Sequence, residues 1–107
     1  MPESPSNVDL VKGFLRAQNM EQVGKTDEAI ALYEGAVREG FDSTGPYDRL
    51  IAIYSARAEH SQVVRVAKAA LENVKTYEDK RGWYARMRDE AERAAAAVPK
   101  PAPRRPG

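Results

Sequence analysis

The chain has 107 residues, no cysteine, and 17 basic against 16 acidic residues, for a net charge of +1. Lack of cysteine excludes disulfides, thiolate catalysis and thiolate zinc sites, and balanced charge gives no broad field for a nucleic-acid backbone. No apolar run approaches the ~20 residues of a membrane span, and the start MPESPSNVD lacks the basic region and apolar core of a signal peptide; a cytoplasmic location is the expectation.

Residues 1–6 contain two prolines and no apolar period, and are expected to be a flexible lead-in. From there to Val98 the pattern is helical, with no alternating run bounded by turn signals. The first predicted helix runs from about Asn7 to Val23. Ser6 can cap it with Asp9 three residues on, and Gly24 ends it where a left-handed residue is wanted. The second runs from about Asp27 to Glu39, with Thr26 as N-cap, two acids in the first turn and Gly40 at the end. The third starts at Pro46, where a missing N–H costs nothing, and runs to about Ala58. The fourth follows Ser61 and ends near Asn73 or Val74. The fifth follows Thr76 and ends at Ala97 or Val98, before Pro99.

These lengths predict an all-α domain over about 7–98: one helical hairpin over about 7–39, a second over about 46–74, and a capping helix over about 77–98. The tail 99–107, PKPAPRRPG, is expected to be disordered and polyproline-like.

A shift of the chain by 34 residues superimposes its two halves. Met20 falls on Tyr54, Gly24 on Ala58, Ala29 on Val63, Tyr33 on Ala67, Ala36 on Ala70 and Val37 on Leu71. Small residues meet small ones because the second helix of each hairpin must cross the first closely. Ala17, Met20, Gly24, Ala29, Tyr33 and Ala36, then Tyr47, Leu50, Tyr54, Ala58, Ala67, Ala70 and Leu71, resemble the tetratricopeptide repeat (TPR) signature, whose period is also 34. The resemblance spans roughly residues 10–75. Gly13, Arg16, Val63 and Phe41 depart from the family's usual large aromatic, leucine, alanine and proline.

The resemblance implies two hairpins of a right-handed α-α superhelix closed by a solvating helix. For that lid the stripe is Tyr77, Tyr84, Met87, Ala91, Ala94 and Val98. Arg86–Glu90, Arg88–Glu92 and Asp89–Arg93 are spaced as i,i+4 pairs on its other faces. The resemblance also implies a concave groove that receives a peptide or helix of a partner protein. Mapped onto this chain, the groove is Val11, Phe14, Leu15, Gln18 and Glu21 from the first hairpin, and Asp48, Arg49, Ala52, Ser55 and Ala56 from the second. Phe14 reads either as a groove anchor or as core, packed on the second helix where Gly13 leaves space. Arg49 reads either as the partner of a nearby acid or as a receiver of a ligand carboxylate. Trp83, one residue off the lid stripe, either covers the array's flank or is a second partner contact. The family's clamp for acidic chaperone tails is not expected, because no third repeat supplies its remaining cations.

No catalytic or metal site is expected, nor a cofactor or small-molecule substrate. The sole histidine, His60, lies in a polar turn, and GKT at Gly24 lacks the strand and upstream glycine of a phosphate loop. Arg81, Arg86, Arg88, Arg93, Lys100, Arg104 and Arg105 suggest nucleic acid, but Asp79, Asp89, Glu90 and Glu92 share that helix and weaken any phosphate track. The sequence therefore points to a small non-catalytic adaptor. The alternatives are self-assembly, with Val8, Val11 and Leu15 as a homodimer stripe, and a nucleic-acid-associated factor acting through the last helix and tail.

Overall fold

The computed structural model describes residues 7–75 and 78–97. Among them are five helices and no strand: α1 (Asn7–Gln22), α2 (Thr26–Arg38), α3 (Thr44–Ala56), α4 (His60–Asn73) and α5 (Glu78–Ala97). The predicted caps Ser6 and Thr76, the stripe ends Tyr77 and Val98, and both chain ends lie outside the described residues.

Helix ends follow the left-handed positions. Gly24 has φ +85° and Gly40 φ +72°. After α1, the N–H of Lys25 donates to the carbonyl of Met20 (2.8 Å) and that of Gly24 to Glu21 (3.1 Å), the paired bonds of a Schellman cap. After α3 the same pair recurs 34 residues later: Glu59 to Tyr54 (2.8 Å) and Ala58 to Ser55 (3.0 Å). Ala58 therefore adopts φ +56° where the first turn has glycine. A third cap of this kind closes α2, through Phe41 to Ala36 and Gly40 to Val37.

Helix starts differ from the sequence reading by a few residues. Thr26 is the first residue of α2 rather than its cap; Lys25 precedes it and gives no side-chain cap bond. α3 begins at Thr44, so Pro46 stands third in the helix, still inside the turn whose N–H groups have no intrahelical acceptor. α4 begins at His60.

Each helix packs on its successor, α2 also touches α4, and α5 lies mainly along α4. The alanines expected at close crossings are buried: Ala29 and Ala36 on α2, Ala67 and Ala70 on α4. Tyr33, Tyr47, Leu50, Ile51, Val63, Val66, Val74 and Tyr84 fill the spaces beside them, each below 2% exposure. A buried aliphatic chain of this kind contributes about 1.5–3 kcal/mol. Enlarging Ala29 or Ala67 to leucine would cost about 1–3 kcal/mol by forcing the helices apart.

Of the described lid stripe, Tyr84 and Ala91 are buried, and Met87 and Ala94 are half-buried. The Arg81 guanidinium crosses to α4 and donates to the carbonyls of Leu71 (2.6 Å) and Val74 (2.9 Å), satisfying groups left over at that helix end. The i,i+4 ion pairs expected along α5 give way to others: Arg88 pairs with its neighbour Asp89 (2.9 Å), and Glu92 approaches Lys68 of α4 (3.9 Å). No helix among the described residues is long and apolar enough to cross a membrane.

Candidate binding face

The residues named for the groove separate into two groups. Val11 and Leu15 stand out from α1, 44% and 51% exposed, in line with Val8 at 61%. Their i, i+3, i+7 spacing puts all three on one side of the helix. Ala52 and Ala56 are exposed on α3. Gln18 and Arg49 are half-buried, and with Glu21 and Gln22 they line an open cleft of about 330 Å³ between α1 and α3.

Phe14 and Asp48, also half-buried, are engaged by neighbouring helices instead. The Phe14 ring lies 5.9 Å from that of Tyr33, and its edge rests on the backbone of Gly45, where a Cβ would sit 2.5 Å from Cζ. Gly13 has nothing within 4 Å of its would-be Cβ, so the space that admits the ring comes from Gly45 on α3. The Asp48 carboxylate accepts from the Tyr84 hydroxyl (2.8 Å) and pairs with Lys80 (2.9 Å), both on α5. It anchors the lid.

Arg49 is paired within the fold. Its Nε donates to Glu21 Oε1 (3.1 Å), its Nη2 donates to Oε2, and the Tyr33 hydroxyl donates to the same carboxylate (2.7 Å). The guanidinium bond holds the Glu21 carboxyl below the usual carboxylate range, against the opposing effect of burial. Burial and then the hydrogen bond to Glu21 push the Tyr33 hydroxyl far up. A second triad links α2, α3 and α4: the Tyr54 hydroxyl and Arg65 each donate to Glu34 Oε2 at 2.5 Å. Burial and the Glu34 bond push Tyr54 up to about 12. Both triads fix helix crossings, and the first also forms the floor of the α1–α3 cleft.

Trp83 is half-buried against the core, beside Tyr84 (5.4 Å between rings), with the Lys80 ammonium 4.2 Å above its ring. A second shift of 34 residues puts Trp83 in register with Leu15 and Arg49, and Tyr84 with the buried Leu50. That second shift was the available sequence signal for the burial of Tyr84; Gly45 had none in the sequence. Compared with protein-family models, curated proteins and solved structures, the chain matches none.

Proposed function

We propose that the protein is a small non-catalytic TPR-like adaptor that holds a peptide or helix of a partner protein across the outer face of α1 and α3. The observation that carries this reading is the apolar strip of Val8, Val11 and Leu15, left exposed beside the polar α1–α3 cleft. The repeated 34-residue turn geometry supports the repeat-like architecture. In this reading Val11 and Leu15 supply the apolar contact, and Gln18 and Gln22 offer donors and acceptors to a peptide backbone. Ala52 and Ala56 keep α3 low, so a backbone comes close. Phe14 and Asp48 support the face from within. Arg49 stays committed to Glu21 and orients the partner only through its exposed edge.

The test is selection of displayed peptides and helices on the immobilised protein. Binders should be lost with Leu15→Glu and kept with Val23→Glu, since Val23 is 68% exposed but lies beyond the end of α1. Binders indifferent to both changes would place the site elsewhere.

One observation favours self-assembly as a second reading. Under the 34-residue shift Val11 and Leu15 correspond to Gly45 and Arg49, the residues with which α3 docks on α1. The strip on α1 thus occupies the position of a stacking face, and a second copy would complete it. A homodimer dissolved by Leu15→Glu is the result expected from that reading.

A further inference from the structure

A second cleft lies where α3, α4 and α5 meet. It measures about 260 Å³ and is lined by Ser55 of α3, His60 and Val63 of α4, and Met87, Glu90, Ala91 and Ala94 of α5. In the α1–α3 cleft the carboxylate of Glu21 is neutralised by Arg49. Here Ser55, in the 34-residue register of Glu21, brings no charge, and Glu90 is exposed on the rim. No cation among the described residues pairs with Glu90. The floor of Val63, Met87, Ala91 and Ala94 is apolar. An adjoining cleft of Ala58, Glu59, His60, Ser61, Gln62 and Ala95 shares His60 with it and adds a second carboxylate, Glu59, only loosely held by Arg57 at 4.0 Å.

We infer that this cleft takes the basic, proline-rich tail of the same chain. The helix ends at Ala97, and Ala94 and Ala95 in its last turn line the two clefts. The chain continues as VPKPAPRRPG, with Lys100, Arg104 and Arg105 and no acid. Its charge is opposite to that of Glu90 and Glu59, and its prolines and alanine match an apolar floor. Its length suffices. From Ala94 back to Met87 the floor spans about 10 Å at 1.5 Å per helical residue. Ten residues of extended polyproline chain reach about 31 Å, so roughly six still cover the floor after the chain reverses. Tethering sets a millimolar effective concentration, so weak contacts suffice to populate the docked state. The inference is independent of what binds the α1–α3 face.

The chain has no cysteine, so Gly107→Cys gives a single site for a spin label in the 107-residue chain. The expected result is broadening of the Val63 and Met87 methyl signals by the label. It should be absent when labelled and isotope-enriched chains are separate molecules. Glu90→Lys should lower the docked population roughly two- to fivefold, the scale of one exposed ion pair, and high salt should do the same. Glu90 is exposed, so circular dichroism should show that variant folded. Broadening confined to Ala94–Ala97, broadening unchanged in Glu90→Lys, or broadening carried between molecules would each overturn the assignment.

Discussion

The ring of Phe14 on α1 rests on the backbone of Gly45 on α3, and a methyl group at Gly45 would come within 2.5 Å of it. The contact seats the second hairpin on the first. Two effects of Gly45→Ala oppose each other: alanine favours the helix by up to about 1 kcal/mol, and the forced contact costs about 1–3 kcal/mol. Because the ring is half-buried and can swing outward, the cost falls near the lower end, and the substitution alone should be neutral or mildly destabilising. In a Phe14→Ala background the same substitution should stabilise. Denaturant unfolding of the four proteins should give a coupling of about 1–2 kcal/mol; additive effects would mean the ring is not held there.

The Glu21–Arg49 pair predicts a pH signature. The Glu21 carboxyl titrates below its ordinary range in the fold because the hydrogen bond from the Arg49 guanidinium favours its charged form. A depressed carboxyl contributes stability that is fully present above its unfolded pKa and is lost as pH falls through the folded one. Wild type should therefore exceed Glu21→Gln in Tm at neutral pH, by the equivalent of about 1 kcal/mol or less for a partly exposed pair. The two Tm curves should converge as pH falls below about 4.5. Parallel curves across that range would deny the pairing.

Ala58 holds a left-handed conformation at φ +56° in the turn that repeats that of Gly24. The conformation costs an L-residue about 1–2 kcal/mol, and glycine's extra unfolded-state freedom returns about 0.5–1 kcal/mol of that. Ala58→Gly should raise stability by about 0.5–1 kcal/mol and Tm by a few degrees, and Gly24→Ala should lower both. Thermal unfolding by circular dichroism checks each sign.

The lid depends on Tyr84, whose hydroxyl reaches Asp48 and whose ring is fully buried. Tyr84→Phe keeps the ring and loses one hydrogen bond to a charged group, about 1.5–3 kcal/mol. Tyr84→Ala also opens a cavity at the lid contact and should cost about 3–5 kcal/mol. Amide exchange should then show α5 losing protection before α1, since α5 packs mainly on α4 and α1 lies at the other end of the stack.

The helices of the described residues and their turns were legible because their signals are local. Gly24 and Gly40 sit where the chain needs positive φ, and Ala29, Ala36, Ala67 and Ala70 mark close crossings at a regular period. What was not legible depends on residues far apart in sequence. Glu21 and Arg49 are 28 residues apart and meet only once α3 crosses α1. Gly13 drew attention as Phe14's neighbour in sequence, yet the neighbour in space is Gly45. Asp48 reads as a groove residue until α5 docks and supplies Tyr84 and Lys80. Val11 and Leu15 are legible as apolar residues on one face, but their exposure follows from α1 having no helix packed before it among the described residues.

The most direct measurement of the central claim is sedimentation velocity of wild type and Leu15→Glu over a wide concentration range. The adaptor reading predicts folded monomers in both cases, with the strip of Val8, Val11 and Leu15 free to receive a foreign segment. A wild-type dimer that Leu15→Glu converts to monomer would contradict it, and would assign the outer face of α1 to a second copy of the chain.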